Sequence, residues 1–327
     1  MLQNKFTVIS TFSGCGGSSL GYQMAGGKVL LAVEWDNNAV ETYRLNFPDT
    51  PIYHGDIKEL SVQAVLDRTE LKAGELDIFD GSPPCQGFST AGKREFSDDR
   101  NQLFREYVRL LRGLQPKVFV MENVSGMVKG AMKLIFAEIL TELKASGYRV
   151  SARLLNAKFF NVPQSRERMI FIGVRNDLGI EPSHPIGNSK VITVKEALKD
   201  CIVSETPEFN DRYAQLWERV PVGGNAQDVI GTGFNSCNKL HPNKCSRTLP
   251  KMQTGRGFAT VCHWLEPRAI SISEAKRLHS YPDEYDFAGA YSESWARIGN
   301  SVPPNFMRAI AEHIRDNILN INKEVTA

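Results

Sequence analysis

Three features are absent from this sequence, and each absence narrows the class of protein. No apolar run approaches the roughly 20 residues of a membrane-spanning helix, and no charged-then-apolar leader pattern stands at the N-terminus, so we expect no membrane association. The six cysteines form no CxxC pair and no dense disulfide spacing, which favours a reducing cytoplasm. The net charge is only +2, so a polyanionic partner must be bound by a local patch.

The chain is long enough, at 327 residues with 42% hydrophobic residues, to bury a large core. Strand and helix patterns alternate from Phe6 to Val174, which predicts an α/β, doubly wound sheet with helices on both faces. From about Asn176 prolines and glycines break this periodicity. We therefore predict a first domain over 1–178, completed by 297–327, and a smaller irregular domain with its hinge over 179–296.

The centre of the sequence is a rigid exit from an apolar strand, Gly81-Ser82-Pro83-Pro84-Cys85-Gln86-Gly87-Phe88-Ser89. Pro83 and Pro84 remove two backbone donors, so neither a helix nor a strand ladder continues there. Cys85 is thereby presented at the sheet edge where open α/β proteins bind ligands. From this stretch alone, a nucleophilic thiol is favoured only modestly over a buried cysteine.

A second motif follows the first strand, where Phe12-Ser13-Gly14-Cys15-Gly16-Gly17 leads into a helix. Such a glycine turn is a weak signal, compatible with a nucleotide, an adenosyl cofactor or only a tight turn. The next strand delivers Glu34-Trp35-Asp36, and an acidic residue at this position often binds a ribose diol. Trp35 has a face that can stack on a purine, although a structural tryptophan is an equally good interpretation.

Two polar stretches are candidates for contact with a polyanion. Residues 235–258 contain five Lys or Arg residues and no acid, which suits phosphates, although a solvated surface is the usual explanation of such a run. Residues 90–100 are polar and without a clear period, and they are read as a solvated loop or as a lid over an active site.

Taken together and in order, the motifs resemble those of the DNA (cytosine-5)-methyltransferase family. The set is Phe12 to Gly17, Glu34-Trp35-Asp36, Gly55-Asp56-Ile57, Pro83-Pro84-Cys85-Gln86, Asp99-Arg100, Glu122-Asn123-Val124, Gln164-x-Arg166-x-Arg168, Pro282-Asp283 and Gly299-Asn300-Ser301-Val302-Pro303-Pro304. The match spans nearly the whole chain except about 177–265. Ser10-Thr11 and Ser280-Tyr281 depart from the usual pattern at positions that carry no chemistry.

The resemblance implies a Rossmann-like S-adenosylmethionine-dependent methyltransferase fold and a covalent mechanism. Cys85 would add to C6 of cytosine, since a thiolate attacks strongly and leaves well. Glu122 would donate to N3, and Arg166 and Arg168, on one face of an extended segment, would hold O2 and orient that glutamate. A plain surface ion-pair network is the alternative for this charged cluster.

The implied cofactor is S-adenosylmethionine, with S-adenosylhomocysteine as its product. The residues expected around it are Phe12, Ser13, Gly14, Gly16, Gly17, Pro83, Asn300 and Ser301, with Glu34 on the ribose and Trp35, Asp56 and Ile57 on the adenine.

The implied substrate is double-stranded DNA with the target base flipped out, and the implied target recognition domain occupies the irregular part of the chain. Expected DNA contacts are Gln86, Ser89, Lys93 and Arg100 in the polar loop and Lys239, Lys244, Arg247, Lys251 and Arg256 in the acid-free run. We expect a monomer in the cytoplasm, associated with the nucleoid, and a partner restriction endonuclease is compatible with the resemblance.

Two other functions compete with this interpretation. An RNA (tRNA) cytosine-5 methyltransferase uses the same scaffold, but the recognition segment of some ninety residues is generous for it. A dinucleotide-dependent oxidoreductase would explain the glycine turn and Glu34, but it leaves Pro-Pro-Cys, Glu-Asn-Val and Gln-x-Arg-x-Arg without a role.

A zinc site is the last candidate, from Cys237, His241, Cys245, Cys262 and His263. Their spacings lack a CxxC or HxxxH knuckle, so we expect no metal.

Overall fold

The computed structural model describes residues 6–84, 102–128, 132–231, 236–253 and 260–320. Its first half alternates strands and helices. These are β1 Phe6–Thr11, α1 Gly17–Met24, β2 Gly27–Glu34, α2 Asn37–Asn46, β3 Ile52–His54, α3 Val62–Thr69, β4 Ile78–Gly81, α4 Gln102–Leu114, β5 Val118–Val124, α5 Met132–Ala145, β6 Tyr148–Asn156, β7 Gln164–Ser165 and β8 Glu167–Arg175. We call residues 6–175 the sheet region.

Seven of these strands form one sheet in the order β3-β2-β1-β4-β5-β8-β6. The strands from β3 to β5 are parallel, whereas β8 runs antiparallel to both β5 and β6. The carboxyl ends of β1, β2, β4 and β5 therefore lie at the same edge as the start of β8. The predicted α/β class with one large, mostly parallel sheet is confirmed.

Alternate residues of each strand pack on opposite faces of the sheet. On one face Val8, Ile78 and Val120 pack with Tyr22 of α1 and with the last α-helix. On the other face Phe79 and Phe119 pack with the helices α3, α4 and α5 through residues such as Val65, Leu111 and Ile139. This period of two explains why the sequence pattern located the strands so well.

One predicted strand ends early. The pattern of residues 150–160 predicts a strand to Phe160, but β6 ends at Asn156 and a 3₁₀ turn follows over Ala157–Phe159. The Asn156 side chain accepts a hydrogen bond from the backbone of Lys158 at 3.2 Å. Asparagine thus turns the chain locally and breaks the ladder.

The remaining elements are short until the last two helices. They are α6 Val194–Ala197, α7 Asp211–Arg219, α8 Gln227–Ile230, β9 Asn238–Lys239, β10 Ser246–Arg247, β11 Val261–Cys262, α9 Ile272–Leu278, α10 Tyr291–Asn300 and α11 Pro304–Ile314. We call residues 179–296 the second region. It has its own core, in which Val194, Leu249 and Trp295 are buried, whereas α11 packs on the sheet. The predicted domain boundaries at 178/179 and 296/297 stay predictions.

None of the helices in the described segments combines the length and apolar character needed to cross a bilayer.

Candidate active site

The carboxylate of Glu122 and the guanidinium of Arg168 meet at the edge where β5 ends and β8 begins. Antiparallel pairing sets Val124 opposite Arg168, which puts Arg168 beside the end of β5. The Nε of Arg168 lies 2.6 Å from Oε1 of Glu122, and the two side chains retain 14% and 12% of their exposure. The pair is therefore nearly desolvated, with a small part of each side chain still exposed, so a plain surface ion-pair network does not describe it.

Asn123 connects this pair to the cysteine-bearing exit of β4. Its Nδ2 donates to the carbonyl of Pro83 at 3.1 Å, and its Oδ1 accepts from the backbone N–H of Val124 at 2.8 Å. The amide side chain thus fixes the spacing between the Pro-Pro turn and the strand that carries Glu122. The resemblance drew attention to the glutamate of this motif, but the role of the asparagine emerges only from the structure. Cys85, Gln86, Ser89, Lys93 and Arg100 lie outside the described residues.

Arg166 does not share the position of Arg168, and its predicted role on the base is corrected here. Its side chain is 1% exposed and donates to the carbonyls of Leu249, Gly299 and Ser301 at 3.4, 2.9 and 2.9 Å. Burial lowers the pKa of Arg166 to about 9, which leaves it charged at neutral pH. The two-residue spacing predicts a common face only in a continuous strand, and the ladder is interrupted at Arg166, between β7 and β8.

A buried histidine extends this junction. His279 Nδ1 lies 3.0 Å from Nε2 of Gln164, and His279 Nε2 lies 3.1 Å from the Ser301 carbonyl, so the ring accepts from the amide and donates to the carbonyl. Burial, with the charge of Arg166 adding to it, holds the pKa of His279 well below its usual range. Gln164, Arg166 and His279 therefore join the start of β8 to the helices α9 and α10. Sequence reasoning did not assign His279 a role.

Asp80 is a second group that sequence reasoning missed. It lies in β4, 3% exposed, and its two carboxylate oxygens accept from the hydroxyls of Ser10 at 2.9 Å and Tyr22 at 3.0 Å. Burial raises the pKa of Asp80 to about 7, the two hydroxyl hydrogen bonds oppose the shift, and the nearby carboxylate of Glu122 adds to it. A titrating carboxyl thus lies in the strand that leads to Cys85.

Glu34 lies at the end of β2 with its carboxylate held by three backbone N–H groups. Oε2 accepts from Gly14 at 2.8 Å, and Oε1 accepts from Trp35 and Asp36 at 2.9 and 3.0 Å. Glu34 is 8% exposed. The three backbone hydrogen bonds orient its carboxylate, which can still accept a further hydrogen bond from a diol. Trp35 beside it is 75% exposed, which rules out a core tryptophan.

The three glycines of the glycine turn have different surroundings: Gly14 faces open space, whereas Gly16 and Gly17 pack against other residues. An added Cβ at Gly14 would meet nothing within 4 Å, whereas at Gly17 it would lie 2.3 Å from the Val302 carbonyl. At Gly16, whose φ is +93°, it would lie 2.4 Å from the Phe47 ring. Only Gly14 therefore has free space around it, and the other two glycines permit close packing.

Two predicted cofactor residues, Ser13 and Ile57, have side chains that point into the protein, and their contacts with the cofactor stay predictions. The Ser13 hydroxyl donates to the Ser10 carbonyl at 2.7 Å and accepts from the Val33 N–H at 3.1 Å, so it shapes the turn. The Ile57 side chain is 4% exposed within the core cluster on the α3 and α4 side of the sheet. Asp56 beside it is exposed and accepts from the Lys58 N–H at 3.0 Å.

The remaining predicted cofactor residues border the turn. Phe12, half-buried, accepts a hydrogen bond at its carbonyl from the Ser82 hydroxyl at 3.4 Å. Pro83 is buried, Asn300 is exposed at the end of α10, and Ser301 is half-buried with its hydroxyl donating to the Ile298 carbonyl at 2.9 Å. The Ser82 hydrogen bond thus joins the Pro-Pro turn to the glycine turn, and Ser301, just after α10, lies beside Gly17 of the same turn.

The predicted DNA contacts in the acid-free run do not form one uniform surface. Lys244, Arg247 and Lys251 are exposed. Lys239 differs from them, because it is 7% exposed and its Nζ lies 3.7 Å from the centroid of the Trp217 ring. The aromatic face stabilises the cation there, and the contact of Lys239 with DNA stays a prediction. Arg256 lies outside the described residues.

Cys237 and Cys262 approach each other in the second region, with their sulfurs 3.7 Å apart and both side chains buried. Across the described segments, no three His, Cys, Asp or Glu side chains converge as ligands for a metal ion.

Comparisons with known proteins show the family of the chain. The family model of C-5 cytosine-specific DNA methylases matches residues 6–316. The chain is 33% identical over 333 residues to the Type II methyltransferase M.NgoFVII of Neisseria gonorrhoeae, covering 95% of this chain and 87% of that one. It is 35% identical over 332 residues to the Type II methyltransferase M1.HphI of Haemophilus parahaemolyticus, covering 94% and 86%.

Solved structures give the same result for the fold. A protein assigned as a DNA modification methyltransferase encoded within an E. coli prophage matches with a TM-score of 0.75 and 27% identity, covering 96% of this chain and 99% of that one. DNMT2 of Spodoptera frugiperda, at 19% identity, shares the fold with a TM-score of 0.69, covering 93% and 97%. The chain belongs to the C-5 cytosine-specific DNA methylase family and is a DNA (cytosine-5)-methyltransferase.

Proposed function

We propose that this enzyme transfers a methyl group from S-adenosylmethionine to C5 of a cytosine flipped out of double-stranded DNA, through a bond between Cys85 and C6. The observation that carries the proposal is the nearly buried Arg168–Glu122 pair, tied by Asn123 to the turn before Cys85. This arrangement supplies an oriented carboxyl group next to the predicted position of the nucleophile.

The chemistry needs these residues because C5 of cytosine is a poor nucleophile. When the Cys85 thiolate bonds to C6, the C5–C6 double bond opens and electron density moves toward N3, where Glu122, in its protonated form, donates a proton. C5 is then nucleophilic enough to accept the methyl group. Loss of the C5 proton to a water molecule restores the C5–C6 double bond and expels the Cys85 thiolate, and the proton on N3 returns to Glu122, so that the ring and the enzyme return to their starting charge.

Arg168 orients Glu122 in this scheme, since a guanidinium fixes a carboxylate by direction as well as by charge. Asn123 keeps the turn before Cys85 at a constant distance from that carboxylate. Arg166 acts indirectly. Its hydrogen bonds fix the break between β7 and β8, and Arg168 lies two residues after it.

The residues at the glycine turn and at the end of β2 fit S-adenosylmethionine. Glu34 has an oriented carboxylate for the ribose hydroxyls, the exposed Trp35 offers a face for the adenine, and the space beside Gly14 leaves room for the methionine part. When bound, the cofactor supplies an electrophilic methyl group on a positively charged sulfur. Glu34 and Trp35 bind and orient it.

DNA is favoured over RNA as the substrate because the relatives reported above at 33% and 35% identity are Type II methyltransferases. The same names support a partner endonuclease that cuts the same site when it is unmethylated. Flipping the base costs roughly a few kcal/mol, which contacts to the DNA backbone must offset. Base-resolution mapping of plasmid from cells that express the chain will identify the methylated site.

The test of the mechanism is a trap. DNA with 5-fluorocytosine at the mapped site should give a complex that survives denaturation, because fluorine at C5 does not leave as a proton does. Cys85→Ala should abolish both the trap and turnover, whereas Cys201→Ala, at a half-buried cysteine of the second region, should retain both. Turnover in the Cys85→Ala enzyme would refute the covalent mechanism, and trapping on RNA but not on DNA would reassign the substrate.

A further inference from the structure

Asp36, the last residue of the motif at the end of β2, makes two contacts through one carboxylate oxygen. Its Oδ1 accepts a hydrogen bond from the Ala39 N–H at 2.9 Å, which caps α2, and lies 2.9 Å from Nη1 of Arg297 in α10. The Asp36 N–H in turn donates to Oε1 of Glu34 at 3.0 Å. Asp36 therefore connects the guanidinium of Arg297 to the carboxylate that we propose for the ribose.

Arg297 also contacts the glycine turn, through its main chain. The buried thiol of Cys15 donates to the Arg297 carbonyl at 3.5 Å, across 282 positions of sequence. The segment Gly299-Asn300-Ser301, which the family resemblance places near the cofactor, begins two residues after Arg297. One residue of α10 thus contacts both the glycine turn and the turn at the end of β2.

The Arg297 side chain lies on a helix that is firmly packed. Its neighbours Trp295 and Ile298 are each 1% exposed, and Nε1 of Trp295 donates to the Pro250 carbonyl at 2.8 Å. The Arg297 side chain is 15% exposed, and its buried Nε has no hydrogen-bond partner among the residues that the structure describes. A cation that is largely removed from water depends on the charge beside it, so the contact with Asp36 holds both side chains in one geometry.

The Trp35 ring does not hold its own position. The side chain is 75% exposed, so the place of the ring depends on the backbone of its two neighbours. The helix α2 beyond them is held separately, because Nδ2 of Asn38 donates to the Ala288 carbonyl at 2.9 Å. Loss of the contact between Arg297 and Asp36 should therefore loosen the turn that carries Trp35 and leave α2 in place.

We infer that Arg297 is a positioning residue for the cofactor, and that it acts through Asp36 on the turn that binds S-adenosylmethionine. The inference rests on the proposed contacts of Glu34 with the ribose and of Trp35 with the adenine. A turn that is fixed before the ligand arrives loses less freedom on binding, so the ion pair increases affinity without touching the cofactor. The residues of the chemical step are carried by β5 and β8, so its rate at saturating cofactor should not depend on this pair.

The experiment is a double-variant cycle on cofactor affinity. Calorimetry with S-adenosylhomocysteine, without DNA, is applied to the full chain and to Arg297→Met, Asp36→Asn and the double variant. Arg297→Met should weaken binding about tenfold, and Asp36→Asn, which keeps an oxygen to cap α2, about threefold. The double variant should bind no more weakly than Arg297→Met, because both changes remove one interaction, whereas independent effects would multiply to about thirtyfold.

Steady-state methylation separates positioning from chemistry. Arg297→Met should raise KM for S-adenosylmethionine and leave kcat within about twofold, because the interaction acts on binding alone. Arg175→Met is the matched control, since that side chain is 18% exposed and pairs with Asp177 at the opposite edge of the sheet, where β8 ends. It should leave cofactor affinity within about twofold even where it lowers the melting temperature.

Three results would overturn the inference alone. They are an unchanged affinity in Arg297→Met, a loss of kcat in that variant with an unchanged KM, and full multiplication of the two effects in the double variant. Asp36→Asn keeps the helix cap, so an unchanged affinity in it would also overturn the inference if Arg297→Met does not fold. No binding of S-adenosylhomocysteine by the unmodified chain would instead overturn the proposed function.

Discussion

The sheet region and the second region are stabilised by different interactions. In the sheet region, β8 pairs with β5 over seven residues and with β6 over nine, so backbone hydrogen bonds form most of the framework. In the second region, β9, β10 and β11 have two residues each. There, polar side chains take the place of the ladder: Gln253 donates to the Val261 carbonyl and accepts from the N–H groups of Thr260 and Val261.

The difference matches what each region has to do. A ladder of backbone bonds presents Glu122 and Arg168 at a spacing that does not depend on which side chains cover the sheet. Individual side-chain hydrogen bonds can hold irregular segments in place. The stability of the region then depends on each of these bonds. Loss of a single polar side chain should therefore cost more in the second region than loss of a surface pair in the sheet region.

The largest expected effect is at Arg268 in the second region. Its guanidinium holds the carboxylate of Glu274 through two contacts of 2.7 and 2.9 Å, and the Glu274 side chain is only 2% exposed. Arg268→Ala leaves a buried carboxylate without its partner, and the free energy of unfolding from urea titration should fall by about 3–5 kcal/mol. Glu142→Ala, at the exposed pair with Arg112 in the sheet region, should cost less than about 0.5 kcal/mol. Equal losses in the two variants would contradict the comparison.

The buried carboxyl group of Asp80 in the sheet region provides the next test. The carboxyl of Asp80 has its pKa raised to about 7 from an ordinary value of 3.8, chiefly by burial. Below pH 3.8 both states hold the proton; as the pH rises toward 7 the unfolded chain releases it first, so folding becomes less favourable by about 1.4 kcal/mol per pH unit. The stabilisation is thus present at low pH and lost as pH approaches 7.

Asp80→Asn removes this dependence. Urea unfolding at pH 5, 6, 7 and 8 should show that the variant becomes more stable relative to the unmodified enzyme by about 2–3 kcal/mol between pH 5 and pH 8, most of it below pH 7, with little further change above pH 8. An identical pH dependence of the two proteins would show that Asp80 ionises normally, and that hydration or movement of β4 relieves its burial.

Arg168 tests the chemistry of the sheet edge with a smaller expected effect. Arg168→Ala should lower kcat about 100-fold, equivalent to about 3 kcal/mol, because Glu122 loses its orientation, while cofactor affinity stays constant. Arg166→Ala should instead lower the free energy of unfolding, since it removes the buried guanidinium that donates to three carbonyls, of which, among the described residues, only that of Ser301 keeps a second donor, His279. The matched measurements are single-turnover methylation and urea unfolding of both variants. If Arg166→Ala lowers kcat without lowering the stability, Arg166 contacts the target base, as the family resemblance predicted.

These residues show what the sequence could predict. Glu34, Asn123 and Glu122 stand at strand ends, and the apolar alternation of each strand determines where it ends, so their common edge follows from the pattern. The family resemblance added the order of the motifs. The α/β sheet and the enzyme class were therefore within reach of the sequence.

The failures have a different origin. Arg166 was assigned from the family resemblance and Lys239 from the charge of its segment, but their burial depends on Leu249, Ser301 and Trp217, which are distant in sequence. Gln164 and His279 meet across 115 positions, and no local period encodes such a contact. The second region in particular consists of contacts of this kind, so its pattern could only be described as irregular.

The smallest expected effect concerns Trp35, a large aromatic residue of the sheet region that contributes nothing to its core. With 75% of its surface exposed, Trp35→Ala should leave the melting temperature unchanged. Loss of stacking on the adenine should weaken S-adenosylhomocysteine binding by about 1–2 kcal/mol, measured by calorimetry without DNA. Trp35→Phe should recover most of the affinity because it keeps a flat apolar face. Trp295→Ala, at a tryptophan 1% exposed, should give the opposite result, a large loss of stability from the cavity that it leaves. If Trp35→Ala binds as tightly as the unmodified enzyme, the adenine lies elsewhere, and Glu34 alone would remain as the residue that positions the cofactor at this end of β2.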